Sequence, residues 1–451
     1  MGLKMTVEAG RNSTAVWPED NSRSKSLYER AEKVMPGGIT RIQPWQSPFP
    51  IYAGRGEGAY VVDVDGTRRL DLLNNFASLI HGHAHPAIVK AVQERVALGT
   101  AFTLPTEAEV DLAETITGRA SGLEQVRFSN SGSEAVMGAI KAARALTGRP
   151  KIVKIEGAYH GSYDYAEVSL DSPPALWGDP SKPESVAFSR GVPEGVLHDV
   201  IAVPFNDPET AERLIRPHAD QIAAVLIDAT PSYLGFVPIS RAFTDAMRRL
   251  TREIGALLIL DEVISFRLHA GGAQTLLGID PDITVLAKII GGGFPIGAVA
   301  GRREIMSVFD HRKGKPLLPS SGTFTANPVS MVAGKVSMDL LPGAAIERLN
   351  AKGDALRASI AAVFERTGFP GQITGIGSMF KISGHRRPIV DYRSSYHSPE
   401  ESQLVERLQV ALIAEGYHLS GKGMGFLSTV MTDGELNELV EAIARAVSAI
   451  R

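Results

Sequence analysis

Cysteine does not occur in this chain of 451 residues. Its absence excludes disulfide bonds, thiolate catalysis and cysteine-ligated metal sites, and we predict no metal site. Long apolar runs are also missing, since no stretch approaches the roughly 20 residues of a membrane-spanning helix. Residues 1–25 are polar and lack the apolar core of a secretory signal. We therefore expect a cytoplasmic protein of enzyme size that contacts no membrane.

Neither sign of charge is in excess. Lysine and arginine number 47, aspartate and glutamate number 50, and the net charge is -3. A surface that follows a nucleic-acid backbone needs clustered basic side chains. Because the densest basic cluster is only His385, Arg386 and Arg387, we predict no nucleic-acid partner.

Short apolar runs alternate with helical patterns through the middle of the chain. This alternation is typical of α/β proteins, in which crossover connections join the strands of a mostly parallel, buried sheet. Ligands bind at the carboxyl ends of the strands in such sheets. The predicted strands are 125–128, 152–155, 200–203, 223–227, 256–260 and 283–286, and the predicted helices among them are 134–146, 208–215 and 241–254.

The two ends of the chain have a different pattern. Residues 60–65 predict a strand that enters a turn at Gly66, and helical patterns at 328–341 and 343–365 precede a strand near 378–382 and a final helix from Asp433. We predict that residues 1–65 and 330–451 together form a small α+β domain. Residues 66–329 would then form the large domain, with a long surface loop at 172–192.

A cluster of small residues, Ser131, Gly132 and Ser133, lies between a predicted strand and a predicted helix. Small residues let backbone amides converge, and the positive end of a helix dipole adds to them, so this turn suits a phosphate group. The alternative is an ordinary serine N-cap, with Glu134 in the first turn of the helix.

Two further residues follow apolar strands directly. Asp261 ends one strand, and a buried carboxylate there needs a partner such as the protonated ring nitrogen of a cofactor. Its alternatives are a cap on a neighbouring loop or a metal ligand. Lys288 follows another strand among apolar residues, where burial lowers the pKa of an amine and makes it a nucleophile toward aldehydes. The alternative for a lone lysine is a solvated surface residue.

The order of these features along the chain is more specific than each alone. A phosphate turn, the pair Tyr159 and His160, the strand-end Asp261 and the buried Lys288 supply one group for each part of pyridoxal 5′-phosphate. Amides meet its phosphate, a flat side chain stacks on its ring, an acid meets its nitrogen and an amine meets its aldehyde. We therefore predict that this cofactor is bound.

The chain resembles the class III (ω-type) aminotransferases, which have the pyridoxal-phosphate-dependent fold type I. It looks most similar to β-amino-acid transaminases and glutamate-1-semialdehyde aminomutases, and the resemblance extends from about Tyr28 to the C-terminus. The motifs that carry it are Met35-Pro36-Gly37-Gly38, Asp63-Val64-Asp65-Gly66, Gly82-His83-Ala84-His85-Pro86, the run from Phe128 to Ala135, Tyr159-His160-Gly161, Asp261-Glu262-Val263, the run from Lys288 to Gly297, and Gly322-Thr323-Phe324.

This resemblance implies a role for each matched residue. Lys288 would carry the cofactor as a Schiff base and shuttle the substrate proton, and Asp261 would pair with the ring nitrogen. Thr323 would reach the phosphate of a neighbouring subunit, which implies a homodimer with shared active sites. The other implied cofactor-binding residues are Ser131, Gly132 and Ser133 at the phosphate, Tyr159 and Val263 on the two ring faces, and His160 beside them.

The resemblance also gives expectations for the substrates. Arg41 would bind a substrate carboxylate, for which a planar guanidinium is well suited, and Arg267 and Lys422 are further candidates for substrate binding. We predict transfer of an amino group from a carboxylate-bearing amine, such as a β-amino acid, to a 2-oxoacid by ping-pong chemistry. The alternatives are glutamate-1-semialdehyde 2,1-aminomutase, racemase-type isomerisation, and a catalytically silent regulator that binds the cofactor. Pocket walls are expected from Trp45, Phe76, Ile80 and Tyr233.

Overall fold

A seven-stranded sheet forms the centre of the fold. The computed structural model describes residues 17–312 and 314–450, so most of the polar segment 1–25 lies outside the described residues. Four neighbouring strand pairs are parallel, and one strand is antiparallel to both its neighbours. The predicted α/β class with a mostly parallel sheet is confirmed. In spatial order the strands are Gln125–Ser129, Gly297–Gly301 (the antiparallel one), Ile283–Ala287, Leu257–Asp261, Ile222–Asp228, Lys151–Ile155 and Val200–Val203.

Helices cover both faces of this sheet. The strand Ile222–Asp228 is buried along its whole length, and its side chains alternate between the faces. Leu226 packs with the alanine-rich helix Gly132–Thr147, while Val225 packs with the amphipathic helix Arg241–Ile254 on the other face. Burial on both faces explains why these strands are continuous runs of Val, Ile, Leu and Ala.

Both ends of the described chain contribute to smaller sheets. Tyr417–His418 pairs in parallel with Arg68–Asp71, which joins a segment near the C-terminus to the N-terminal strands Ala53–Glu57 and Tyr60–Asp63. A three-stranded sheet contains Gln372–Thr374, Met379–Ser383 and Met424–Phe426. The domain boundaries at residues 65 and 329 stay predictions.

The helices begin and end close to the predicted positions where their patterns are regular. Several helices were not predicted, and the longest of them are Pro86–Val96, Glu107–Thr117 and Pro399–Ala414. The segment 172–192 contains a short hairpin of Gly178–Asp179 and Lys182–Pro183. The remaining α-helices are Arg23–Ala31, Asp164–Glu167, Glu194–His198, Pro208–Ile215, Gly272–Leu277, Arg303–Met306, Pro328–Asp339, Gly343–Thr367, Tyr392–Ser395 and Asp433–Ala449, and a left-handed turn lies at Asn74–Ala77.

Within residues 17–312 and 314–450, no single helix is long and apolar enough to cross a membrane. The pair Pro328–Asp339 and Gly343–Thr367 meets that length and composition only when both helices are counted together, with a bend of 76° between them. Met331 and Ile346, one from each helix, are buried in the largest hydrophobic core.

Candidate active site

A cavity of about 610 Å³ opens at the carboxyl ends of the central strands. Asp228, Asp261 and Lys288 all line it. The first two end the neighbouring strands Ile222–Asp228 and Leu257–Asp261, and Lys288 directly follows the strand Ile283–Ala287. The location agrees with the rule that ligands bind at strand carboxyl ends in open α/β sheets. Three strands therefore bring three ionisable groups to one cavity.

The predicted phosphate turn forms one end of this cavity. Ser131 caps the 16-residue helix Gly132–Thr147, because its Oγ accepts a hydrogen bond from the Glu134 N–H at 3.2 Å. Among the described residues, the N–H groups of Gly132 and Ser133 have no hydrogen-bond acceptor, and both residues line the cavity. The turn is thus both a serine N-cap and an anion site at a helix N-terminus, since the two interpretations use different N–H groups.

Close packing explains the glycine in this turn. A Cβ atom at Gly132 would lie 3.3 Å from a methyl group of Val263. The hydroxyl of Ser133 accepts a hydrogen bond from the Ser162 N–H at 3.0 Å, which joins the turn to the Tyr159 loop.

Asp261 is held by two hydrogen bonds at the floor of the cavity. Its Oδ2 lies 2.8 Å from His160 Nδ1, and its Oδ1 accepts from the Val263 N–H at 2.9 Å. His160 is buried, and burial lowers the pKa of its imidazole, so a neutral ring donates its Nδ1–H to the carboxylate. These two contacts fix the orientation of the Asp261 carboxylate.

The neighbouring Glu262 faces the other way. It is buried and accepts hydrogen bonds from the Gln274 N–H at 2.9 Å and from the Gln274 side chain at 3.0 Å. Burial raises its pKa to about 7. Of the two consecutive carboxyl groups, Asp261 therefore belongs to the cavity, while Glu262 caps a neighbouring helix.

Asp228 is a cavity residue that was not predicted. It lies beside Asp261 in the register of the two strands, and its carboxylate accepts from the Thr230 N–H at 2.8 Å. Burial and the nearby Asp261 charge raise its pKa well above the usual range. Only the strand pairing places the two acids together, and no local motif marks it.

Lys288 has the environment of an amine nucleophile. Its neighbours Ile289 and Ile290 are buried, and burial lowers the pKa of the amine although the carboxylates of Asp261 and Asp228 act in the opposite direction. Its backbone φ is +53°, a left-handed conformation that costs about 1 kcal/mol or more for a residue with a side chain.

The side walls of the cavity are largely aromatic and apolar. Tyr159 and Val263 line it as predicted, and Tyr159 lies nearly parallel to Tyr233, with 6.4 Å between ring centroids. Of the other predicted wall residues, Phe76 and Tyr233 line the cavity. Trp45 instead packs on Tyr28, and Ile80 lies in the hydrophobic core.

The three predicted substrate-binding residues occupy different positions. Arg41 lines the cavity and donates to Asn75 Oδ1 at 2.9 Å. Lys422 does not line the cavity but lies beside the lining residue Tyr233, with its Nζ 3.1 Å from Asp171 Oδ2 and 4.5 Å from the centre of the Tyr233 ring.

The structure does not bring Arg267 to the cavity. Its side chain is fully buried, donates to Ser378 Oγ at 2.9 Å and to the Leu427 carbonyl, and lies behind the Phe426 ring. Burial lowers the pKa of this guanidinium to about 9. The expectation that Arg267 binds a substrate is therefore corrected to a supporting role behind the cavity wall. Thr323, by contrast, lies in an exposed loop and does not line the cavity of its own chain.

The residues present fit pyridoxal phosphate. The free N–H groups of Gly132 and Ser133 would hold its phosphate, Asp261 its ring nitrogen and Lys288 its aldehyde carbon. Tyr159 and Val263 would cover its two faces. Once bound, the cofactor supplies an aldehyde that condenses with amines and a ring that accepts electrons when a neighbouring C–H bond breaks. The fold and this site define a pyridoxal-phosphate-dependent enzyme.

Comparison with known proteins places the chain more narrowly. It belongs to the family "Aminotransferase class-III", which matches residues 41–447, and its cofactor is pyridoxal phosphate. The chain is 43% identical over 365 residues to a glutamate-1-semialdehyde 2,1-aminomutase of Aeropyrum pernix, covering 80% of this chain and 82% of that protein.

Two solved structures are similar over nearly the whole chain. An ω-transaminase from Sphaerobacter thermophilus is 50% identical with a TM-score of 0.94, covering 96% of this chain and 99% of the other. A β-phenylalanine aminotransferase from Variovorax paradoxus is 33% identical with a TM-score of 0.83, covering 94% of each chain.

Proposed function

We propose that this protein is an aminotransferase that takes the amino group of a carboxylate-bearing amine, such as a β-amino acid, and passes it to a 2-oxoacid. The observation that carries the proposal is Arg41. Its guanidinium lines the same cavity as Lys288, and a guanidinium binds a carboxylate through two parallel hydrogen bonds. A donor with an amine and a carboxylate could then meet both residues at once.

The side chains that line the cavity favour an apolar substituent on this donor. Phe76, Tyr159, Tyr233 and Phe426 contribute aromatic rings to the lining, and aromatic walls favour a flat apolar group. The likeness to a β-phenylalanine aminotransferase points in the same direction.

The residues that line the cavity have separate proposed parts in the reaction. Lys288, with its lowered pKa, would exchange places with the substrate amine and then carry a proton from the substrate carbon. Asp261, oriented by His160, would keep the ring nitrogen protonated. The N–H groups of Gly132 and Ser133 would hold the phosphate in place throughout, as backbone donors do at helix N-termini.

Lys422 is the proposed site for the carboxylate of the 2-oxoacid. It lies against Tyr233, a residue of the cavity wall, and is already paired with Asp171. An incoming carboxylate would have to compete with Asp171, so acceptor binding at this position is expected to be weaker than donor binding at Arg41.

A second candidate is glutamate-1-semialdehyde 2,1-aminomutase. The curated relatives support it more strongly than they support β-amino-acid transfer, since those from Aeropyrum pernix, Heliobacterium modesticaldum and Chloroflexus aurantiacus all have that name, with 36–43% identity. Its substrate also carries one carboxylate, so Arg41 would serve both reactions. The solved ω-transaminase, at 50% identity, supports intermolecular transfer instead.

We also propose a homodimer with shared active sites. Leu98 and Leu104 are 72% and 74% exposed, and Leu317, which precedes Thr323 in the same exposed segment, is 67% exposed. A second copy of the chain that buried these leucines would stabilise a dimer. A second copy that covers these leucines would also account for the exposed position of Thr323, because the phosphate that Thr323 is proposed to bind belongs to the other subunit.

An absorbance spectrum of the purified protein tests the proposed reaction. Addition of 3-amino-3-phenylpropanoate without a 2-oxoacid should replace the visible band of the lysine-bound cofactor by the near-ultraviolet band of pyridoxamine phosphate, and pyruvate or 2-oxoglutarate should reverse the change. If the donor has no effect, while glutamate-1-semialdehyde turns over with no acceptor present, the aminomutase is the correct function. The absence of any visible band after addition of pyridoxal phosphate would contradict both.

A further inference from the structure

The wall of the cavity beneath Arg41 is a left-handed turn. Four consecutive residues, Asn74, Asn75, Phe76 and Ala77, have φ values of +47°, +47°, +55° and +72°. None of them is glycine, and only asparagine among them adopts this conformation at a modest cost. A run of four such residues therefore persists only because the surrounding structure holds it.

Hydrogen bonds with segments from both parts of the chain fix this turn. Asp71 Oδ1 accepts hydrogen bonds from the N–H groups of Leu73 at 2.9 Å and Asn74 at 3.0 Å. Asn74 Nδ2 donates to the Phe426 carbonyl at 2.8 Å. The turn is thus anchored to a strand that lies about 350 residues further along the chain.

The turn presents two groups to Arg41. Asn75 Oδ1 accepts a hydrogen bond from Arg41 Nη1 at 2.9 Å, and Asn75 Nδ2 donates to Ser78 Oγ at 3.0 Å, which fixes the amide. The Phe76 ring lies under the guanidinium, with 5.6 Å from Arg41 Cζ to the ring centroid. An aromatic face attracts such a cation without forming a hydrogen bond to it.

Both of these partners of Arg41, the Asn75 amide and the Phe76 ring, are uncharged. Among residues 17–312 and 314–450, Arg41 forms no ion pair with an acidic side chain. A carboxylate at position 75 would neutralise the guanidinium and occupy its donors, whereas one amide oxygen takes a single N–H and leaves the others available. The Asn75 amide and the Phe76 ring therefore orient the guanidinium and leave its positive charge uncompensated.

We infer that Asn75 and Phe76 are positioning residues that hold Arg41 ready for a substrate carboxylate and thereby set the preference for carboxylate-bearing donors. This inference rests on the proposed function, in which Arg41 binds that carboxylate. It adds that specificity for the amino donor depends on an uncharged side chain at position 75 and on the left-handed turn that places this side chain beside Arg41.

The variant Asn75→Gly tests the inference. Glycine adopts a φ of +47° without strain, so the turn stays while the amide is lost. We expect KM for 3-amino-3-phenylpropanoate to rise roughly tenfold, as for the loss of one hydrogen bond to a charged group, with kcat little changed. The rate with 1-phenylethylamine, which lacks the carboxylate, should stay at the wild-type value. Asn75→Asp should raise the same KM further, because its charge competes with the substrate.

Ala77→Gly is the matched control, since it changes the same turn at a buried residue that does not line the cavity. Its KM should remain within about twofold of wild type. A wild-type KM in Asn75→Gly, or an equal loss with both donors, would overturn the inference. If the wild-type enzyme itself does not distinguish the two donors, the proposed role of Arg41 is wrong instead, which separates the two failures.

Discussion

Lys288 combines two unfavourable features, a buried amine and a left-handed backbone angle. Such costs are concentrated at functional residues. We expect Lys288→Ala to lower turnover by at least a thousandfold and to abolish the visible band of bound cofactor, because no other amine among the cavity-lining residues can replace it.

The same variant should keep its fold and its affinity for phosphate. The N–H groups of Gly132 and Ser133 do not depend on Lys288, so inorganic phosphate should still raise the thermal unfolding midpoint. Wild-type activity in Lys288→Ala would contradict the proposed chemistry. A phosphate effect that is lost together with the lysine would contradict the assignment of the phosphate turn.

Lys154 is a second buried amine, outside the cavity. Its Nζ donates to the carbonyls of Val168 at 2.7 Å and Ala158 at 3.1 Å, next to the loop that carries Tyr159 and His160. Burial lowers the pKa of Lys154 to about 7 from its usual value of 10.5. Below pH 7 the amine is charged in both folded and unfolded chains, and the cost of burying the charge is present in full, on the order of 5 kcal/mol.

This cost falls as the pH rises from about 7 toward 10.5, because the folded protein then binds fewer protons than the unfolded chain. The variant Lys154→Met lacks the titrating group. We expect the urea midpoint of this variant to lie closest to the wild-type midpoint near pH 6. Toward pH 9.5 it should fall further below the wild-type midpoint. Lys90→Met, at an exposed lysine, should show no such trend, and a constant difference for Lys154→Met would refute the assignment.

At the scale of elements, the strand Gly297–Gly301 supports the phosphate turn from behind. A Cβ atom at Gly297 would lie 2.0 Å from the Ser131 carbonyl oxygen, so any side chain must displace the turn. We expect Gly297→Ala to weaken retention of pyridoxal phosphate at least tenfold, measured as cofactor loss during dialysis, and to lower the thermal midpoint.

Gly138→Ala is the control for this prediction. Gly138 lies within the helix Gly132–Thr147, and a Cβ atom there would make an ordinary 3.4 Å contact with Val299. Alanine favours the helix by about 1 kcal/mol over glycine, so this variant should bind the cofactor normally and unfold at an equal or higher temperature. Unchanged cofactor retention in Gly297→Ala would show that the strand does not position the turn.

The elements that could be predicted from the sequence are those with a strong local pattern. Runs of Val, Ile and Leu mark the parallel strands, and the residues that directly follow them, including Asp261 and Lys288, lie in the cavity as expected. The strand Gly297–Gly301 consists of Gly, Ala and Val, which have little of the strand pattern. It is a strand because its neighbours on both sides pair with it, and a Cβ atom at Gly297 or Gly301 would lie within 2.6 Å of a backbone carbonyl oxygen.

Other parts of the site depend on contacts between distant segments, which one sequence does not display. The left-handed turn Asn74–Ala77 contains no glycine to mark it, and its anchor at Phe426 lies in another sheet. Arg267 follows a strand as a substrate-binding residue would, yet tertiary packing places it behind Phe426. The pairing of Asp228 with Asp261 is likewise a property of sheet register.

At the scale of the whole molecule, the proposed homodimer makes the cofactor site depend on association. Leu104 and Phe102 are exposed on the single chain, and burial of such side chains stabilises an interface. We expect the wild-type protein to sediment as a dimer, and the double variant Phe102→Asp with Leu104→Asp to sediment as a monomer that loses pyridoxal phosphate on dilution.

Val410→Asp changes an exposed apolar residue of the helix Pro399–Ala414 and serves as the control that should remain dimeric. A wild-type protein that is monomeric with full cofactor occupancy would refute the shared site. A double variant that is still dimeric would instead place the interface elsewhere on the surface.

The hydrogen bond from Asn74 to Phe426 spans 352 residues, and this separation has a consequence for the timing of biosynthesis. At 5–20 residues per second, a ribosome needs roughly 20–70 s after adding Asn74 before it adds Phe426. The strands that carry Asp261 and Lys288 are made within that interval, so the nascent chain holds these two groups well before its left-handed turn can be anchored. A chain released early, before Phe426, would have the chemistry-bearing residues without the fixed support for Arg41. Completion of the C-terminal segment is therefore the step at which the nascent protein can acquire the proposed preference for carboxylate-bearing donors.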